Sequence, residues 1–265
     1  MKKYKYVFVV LVYRNTADLK SFFASLKLED CKVIVVNSYF DEESDKAFKC
    51  IAEENNADFI TVENKGYGAG NNAGCRYAMD HYEFSYLIIS NADITIENWD
   101  EEAIAEQGDK IIAPDIRTLS GKRQNPNIPY KPSKFNEDFQ YWAYKGHHNR
   151  MIYFAHAVSR LKKILFYATH SSSRPASIYS PHGAFMIIPS DILSRLYPLF
   201  NEKMFLFNEE RYLARLVKSN GISVAYVPKI QIKHMEDGSI SLLNIKIFEL
   251  SRDSYIEYYN STRTR

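Results

Sequence analysis

Along the N-terminal third of the chain, apolar and polar positions fall into blocks that switch between strand and helix periods. Val7-Phe8-Val9-Val10-Leu11-Val12 is an unbroken apolar run, the pattern of a strand buried on both faces. Leu19, Phe22, Phe23 and Leu26 then recur at helical spacing, behind Asn15 or Thr16 as the cap. Lys32 to Val36 predicts a second strand, about Glu42 to Glu54 a second helix, and Phe59 to Val62 a third strand. A glycine-rich turn opens a helix that runs to about Asp80. Tyr86 to Ile89 predicts a fourth strand, ending at Asn91-Ala92-Asp93. Repeated strand–helix units predict an α/β fold with a doubly wound, mostly parallel sheet, whose ligands sit at the carboxyl ends of the strands.

The rhythm changes after Pro114. Pro114, Pro126, Pro129 and Pro132 predict a loop crossing over residues 114–135. Further on, the pattern predicts a strand at about Ala184 to Ile188 and a helix from about Glu209 to Lys218. Two short strands (Ser223 to Val227, Lys229 to Lys233) and a C-terminal helix from about Leu242 follow. The chain thus divides into residues 1–114, residues 115–241 fused to them in one domain, and a helix and tail over 242–265. No internal repeat or low-complexity segment interrupts it.

Composition changes this picture little. Hydrophobic residues at 46% and charged residues at 25% are ordinary for a globular protein. Aromatic content is high, with 20 Tyr and 16 Phe. The formal net charge of +2 calls for no nucleic-acid partner. Cys31, Cys50 and Cys75 are odd in number and lack metal-ligand spacing, which fits a reducing cytoplasm. The apolar run after Met1-Lys2-Lys3 is too short for a leader or a membrane span, and is read as a strand.

Charge distribution is more telling. From Phe139 to Ser190 there is no Asp or Glu, while six Lys or Arg and five of the seven His fall there. Within residues 152–167, Phe154, Val158, Leu161 and Leu165 share one helical face, with His156, Arg160 and Lys163 on another. Such a helix lies on anionic lipid at about 1 kcal/mol per basic residue near the surface. A packed helix with a solvated basic face, or a cationic site for a diphosphate or an anionic acceptor, satisfies the same pattern.

Four segments stand at predicted strand ends: Tyr13-Arg14-Asn15, Asn37-Ser38, the block from Asn64 to Gly74, and Asn91-Ala92-Asp93. Gly66, Gly68 and Gly70 let a backbone approach a ligand and leave amides free at a helix start; a tight turn without ligand is the alternative. Asp93 is a hard-oxygen ligand for Mg²⁺ or Mn²⁺, or else a helix cap.

In this order, the segments resemble the family 2 glycosyltransferases of GT-A fold, in particular the rhamnosyltransferase-like branch of bacterial polysaccharide synthesis. The resemblance runs from Val7 to Ser239 and is weakest over 115–180. Its Asn-x-Gly-aromatic block looks like Asn64-Lys65-Gly66-Tyr67-Gly68-Ala69-Gly70-Asn71-Asn72-Ala73-Gly74, and its Asp-x-Asp element like Asn91-Ala92-Asp93. A small-residue strand looks like His182 to Ile188, an acidic segment like Phe200 to Glu210, and a late histidine element like His234-Met235-Glu236-Asp237-Gly238-Ser239.

The resemblance implies a GT-A fold with a smaller, abutting acceptor-side sheet. Residues 1–114 would bind a UDP- or dTDP-linked sugar, and residues 115–241 would bind the acceptor and carry catalysis. It implies an inverting transferase with Mn²⁺ or Mg²⁺ on Asp93 and His234, and Glu210, or its neighbour Glu209, as base. Donor contacts fall on Tyr13, Arg14, Asn15, Asn37, Lys65, Gly66, Gly70, Asn71, Asn91 and Asp93. The acceptor is an oligosaccharide or lipid-linked glycan of capsule or wall. The enzyme is placed in the cytoplasm and, through the basic helix, at the inner face of the plasma membrane.

Two departures stand out. Asn37 replaces the family's usual Asp, and the acidic pair is Glu-Glu, with Tyr212 in place of a further acid. They keep a catalytically inactive, transferase-like binding protein in view. A dinucleotide-dependent oxidoreductase is the other alternative, since Gly68-Ala69-Gly70-Asn71-Asn72-Ala73 fits G-x-G-x-x-A. Against it, two strand–helix units precede the motif and Glu63-Asn64-Lys65 separate it from its strand. A sugar nucleotidylyltransferase would need an N-terminal glycine- and arginine-rich phosphate loop, which is missing.

Overall fold

A computed structural model describes residues 1–170, 173–235 and 247–263. Strands β1 (Lys2–Val12), β2 (Cys31–Ser38), β3 (Asp58–Val62) and β4 (Tyr82–Asn91) alternate with helices α1 (Thr16–Ser25), α2 (Glu42–Glu54) and α3 (Tyr67–His81). β5 (Ile94–Asn98), α4 (Glu101–Ala105) and β6 (Lys110–Thr118) follow. Next come α5 (Lys134–Lys145), α6 (Asn149–Thr169), β7 (Ala176–Ile178), β8 (Phe185–Pro189) and α7 (Ser190–Leu196). α8 (Glu209–Ser219), β9 (Ser223–His234) and α9 (Ile247–Arg263) complete the described elements.

All nine described strands belong to one sheet in the order β3-β2-β1-β4-β8-β6-β9-β5, with β7 pairing β9. β1 to β4 pair in parallel, as does β6 with β9. β8 runs antiparallel to both β4 and β6, and within the one sheet it links the strands of the first half to those of the second, so the expected smaller abutting sheet is continuous with the first. Period-two alternation makes the two faces. Phe8 and Val10 pack with Leu19, Phe22 and Phe48 beneath α1 and α2. Val7 and Val9 pack on the other face with Cys75, Ala78, Leu193 and Leu213 of α3, α7 and α8. A smaller cluster, including Tyr144, Ile152, Tyr255 and Tyr258, ties α5 and α6 to α9.

Several sequence expectations are corrected. Residues 114–118 continue a strand, so the 114/115 boundary falls inside β6 and the loop crossing starts after Thr118. Pro114 fits because the β6–β9 register shifts between Pro114 and Asp115, which accommodates an imino residue without a ladder donor. The two short C-terminal strands are one strand, β9. The C-terminal helix is described from Ile247, and Glu236 to Ser239 and Leu242 lie outside the described residues. No helix among the described residues is long and apolar enough to cross a membrane.

Candidate active site

Strand pairing dictates which side chains meet. β8 runs against β4 with Phe185 opposite Ser90, so the chain entering β8 passes the exit of β4. Asn91 N–H donates to Ala184 O at 2.8 Å, which sets His182-Gly183 beside Asn91-Ala92-Asp93. β5 runs against β9 with Ile94 opposite His234, so the last residue of β9 lands next to Asp93.

Asp93 is 7% exposed and caps no helix; its Oδ1 lies 3.2 Å from His234 Nε2. Met235 N–H donates to Asp93 O at 2.9 Å and fixes the turn. His234 is itself buried, so it is no surface histidine. Its Nδ1–H donates to Gln124 Oε1 at 2.8 Å, which leaves the Nε2 lone pair aimed at the carboxylate. Two acceptors face each other there, an arrangement that a proton or a cation between them stabilises. Among the described residues no third His, Cys, Asp or Glu joins them to make a metal cluster.

Across the His182-Gly183 segment stands the acidic pair that opens α8. Phe207 (φ 74°) and Asn208 (φ 65°), both left-handed, turn the chain sharply into that helix. Gly183 N–H donates to Glu210 Oε1 at 3.2 Å, and Ser180 Oγ donates to Glu210 O at 3.1 Å. Burial raises the Glu210 carboxyl above the usual range, and the hydrogen bond from Gly183 opposes that rise. Glu209 is 3% exposed, its Oε1 has no partner, and burial with the neighbouring Glu210 pushes it up to about 8. Neither acid is a solvated surface charge. Tyr67 reaches the same segment, donating from its hydroxyl to Gly183 O at 2.7 Å.

Three contributors escaped the reading of the sequence, and a fourth, Lys163, figures in it as part of a basic helix face. Lys163 Nζ, from α6, donates to Gln124 O at 3.0 Å, and its ammonium is pushed down to about 8, chiefly by burial. Asn125 Oδ1 accepts from His182 N–H at 2.7 Å. His182 Nδ1 accepts from Ala184 N–H at 3.1 Å, which leaves Nε2 as the protonated nitrogen; burial, then His234, pushes this imidazole down to about 3. Its ring centroid is 5.9 Å from that of His234. Gln124 and Asn125 lie in the Pro-rich stretch, where no periodicity points to a role. His182 was visible only as the entry to a strand.

The remaining expected donor contacts divide. Asn37 is fully buried at the end of β2; its Nδ2 donates to Asp45 Oδ1 at 2.7 Å and its Oδ1 lacks a partner. Asn71 likewise keeps a buried, unpartnered Oδ1, while its Nδ2 donates to Tyr67 O at 3.0 Å. Tyr13 and Arg14 border β1 against Phe40, the Arg14 guanidinium 4.1 Å from that ring. The Asn15 side chain is committed to α1: Oδ1 accepts from Ala17 N–H at 3.1 Å and Nδ2 donates to Asp18 at 2.8 Å.

Lys65 and the glycines face protein groups. Lys65 pairs with Glu63 at 2.9 Å and lines a side cavity of about 450 Å³ with Arg76, Asp80, Tyr197 and Glu202, apart from Asp93 and Glu210. At Gly66 (φ 102°) any side chain would collide with the backbone of Phe205. At Gly70 an added Cβ would sit 2.5 Å from Leu11 Cδ1, and at Gly74 it would meet Val9 and Val36. The glycines therefore seat α3 against β1, β2 and the loop before α8. Their open faces are filled by protein, which also counts against a pyrophosphate in a dinucleotide fingerprint.

No family model matches the chain, and no curated protein matches its sequence. Solved structures do match. GalNAc-T7 with UDP, GalNAc and Mn²⁺ superposes with a TM-score of 0.60 at 12% identity, over 88% of this chain and 44% of that one. TarS of S. aureus gives a TM-score of 0.56 at 12% identity, over 97% of this chain and 43% of that one. The chain spans less than half the length of either match. The fold is that of the GT-A glycosyltransferases.

Proposed function

We propose that the chain is an inverting glycosyltransferase that moves a sugar from a UDP- or dTDP-linked donor to a hydroxyl of an oligosaccharide or lipid-linked glycan in bacterial surface polysaccharide synthesis. One observation carries this reading. On a GT-A fold, the Asp93–His234 pair and the raised carboxyl of Glu210 stand on either side of His182-Gly183 at one end of the sheet. In this reading residues 1–114 form the donor side and most of the rest the acceptor side.

Asp93 Oδ1 and His234 Nε2 fit as two ligands of Mn²⁺ or Mg²⁺, because the tautomer held by Gln124 presents a lone pair rather than a proton. When bound, the cation supplies Lewis-acid neutralisation of charge on the departing diphosphate. The neutral His182, with its proton on Nε2, donates a hydrogen bond at the same end, and Lys163 adds positive charge. Asn37 and Asn71 offer acceptors to the nucleoside or sugar.

Glu210 takes the proton of the acceptor hydroxyl as that oxygen bonds to the anomeric carbon and the carbon–diphosphate bond breaks. A single displacement inverts the configuration. Burial strengthens Glu210 as a proton acceptor, and the Gly183 N–H holds the carboxylate in place. Glu209 is raised as well, by burial and by its neighbour Glu210. Glu210 is taken as the base because the Gly183 N–H orients its carboxylate, whereas Glu209 Oε1 is buried without a partner.

The test is a panel of UDP-, dTDP- and GDP-sugars assayed for Mn²⁺-dependent hydrolysis and transfer, with thermal shift as a binding readout. UDP or dTDP with Mn²⁺ should stabilise the wild type. Asp93→Asn should lose that stabilisation, and Glu210→Gln should keep binding but lose turnover. Stabilisation by NAD(P) without metal, or an Asp93→Asn protein that behaves as wild type, would sink the reading. Binding without any turnover would point to an inactive module.

A further inference from the structure

α6 shows two different faces. With about 100° of rotation per residue, Tyr153, Phe154, Leu161, Ile164 and Leu165 fall in one sector, while His156, Lys163 and Tyr167 fall in another. The second sector meets the site: Lys163 donates to Gln124 O, and the Tyr167 hydroxyl donates to Asn125 O. The first sector is largely exposed, and among the described residues its ring contact is Phe154 with Phe139 of α5. Phe154 is 63% exposed and Leu161 65%. The stripe continues onto α5, since Phe139 stacks between Phe135 and Phe154 with centroids 6.4 Å and 6.3 Å away. Trp142, one turn further along that face, is 63% exposed. An apolar surface this continuous on a globular chain marks a contact site.

Its surroundings identify the occupant. Arg160 and Lys162 flank the stripe, Arg150 stands at its start, and Lys145 lies 6.0 Å from the Trp142 ring. Among the described residues Arg150, Arg160 and Lys162 form no ion pair. Neither α6 nor the chain on to Ser190 carries an acid. A protein partner would need an acidic rim around an apolar centre. An anionic bilayer supplies both in the right order, with acyl chains for the aromatic stripe and headgroup phosphates for the flanking cations.

We propose that the outer faces of α5 and α6 form a docking surface for an anionic lipid bilayer. α6 then stands as the wall between membrane and site, and the acceptor hydroxyl approaches Glu210 from the bilayer side. Only that last step rests on the transferase reading; the docking stands apart from it.

The experiment uses the full chain with phosphatidylcholine vesicles, with and without phosphatidylglycerol, in the absence of donor and acceptor. The protein should sediment with the anionic vesicles alone, less so as salt rises. Trp142 emission should shift to the blue on binding, while Trp99, packed among Tyr6, Phe8 and Phe185, stays constant. Arg160→Gln/Lys162→Gln should weaken binding about 30-fold, from about 1 kcal/mol per basic residue. Phe154→Ser/Leu161→Ser should abolish it, while both variants keep wild-type turnover of soluble substrates. Absence of sedimentation, equal binding to neutral vesicles, wild-type binding by both variants, or a dimer in solution that hides Trp142 would each overturn the proposal.

Discussion

Gly183→Ala separates the placement of the proton acceptor from the stability of the fold. A Cβ at this position would stand 2.9 Å from Glu210 Oε1 and 3.4 Å from its Cδ, closer than such atoms settle. What yields is the end of a flexible side chain, so the backbone can stay. The carboxylate swings away and loses the Gly183 N–H, a bond to a charged group of about 1.5–3 kcal/mol. The fold gains about 0.4–1 kcal/mol from a stiffer unfolded chain, which offsets part of that loss. Melting temperature should therefore fall by only a few degrees, at about 2–4 °C per kcal/mol. Activity should move much more, because displacing a positioned base by about 1 Å costs about 100-fold. The pH profile carries the signature. The Gly183 N–H lowers the Glu210 carboxyl against the raising effect of burial, so removing it should shift the acid limb of kcat to higher pH. The assay is kcat against pH for wild type and variant, beside thermal unfolding. A variant with wild-type kcat and an unmoved acid limb would refute the assignment of Glu210. A collapse of melting temperature with kcat would show that Gly183 serves the fold instead.

Other outcomes follow from single contacts. The folded-state value of Glu209 is raised to about 8, so the native state holds a proton that the unfolded chain releases above its ordinary carboxylate value. Stability should fall as pH rises through that window, and Glu209→Gln should flatten the fall in urea unfolding at pH 5 and pH 8, values chosen to bracket it. Asn72 spans α3 and the loop before α8, accepting from Phe200 N–H at 3.2 Å and donating to Phe200 O at 2.9 Å. Asn72→Ala strands both backbone groups in the interior and should cost about 2–4 kcal/mol, read by the denaturation midpoint.

Much of the N-terminal half was legible because its signals are local. Continuous apolar runs marked β1, β2 and β4, and helical spacing marked α1 and α6. Motif order placed Asp93, His234 and Glu210, which strand pairing then brings to one end of the sheet. What stayed hidden depends on pairing between distant segments. Pro114 reads as a breaker, yet it sits in β6 where a register shift removes the need for its missing N–H. Pro228 divides β9 for the eye in the same way. The glycine block looked like a ligand cradle because close approach to a ligand and close approach to Leu11, Val9 and Phe205 require the same residue. Gln124 and Asn125 matter through what they touch, and no period records that.

The short strand β8 has a wider consequence. It is hydrogen-bonded to β4 on one side and β6 on the other, and the residues that lead into it bond both Asn91, two positions before the aspartate, and Glu210. One ruler thus sets the spacing between the Asp93 end of the sheet and Glu210. Sliding β8 by a single position would turn every side chain on it to the opposite layer and pull Gly183 off its carboxylate. The two halves of the chain therefore cannot be exchanged independently of one another. A chimera keeps this spacing only if it inherits the strand together with both of its neighbours.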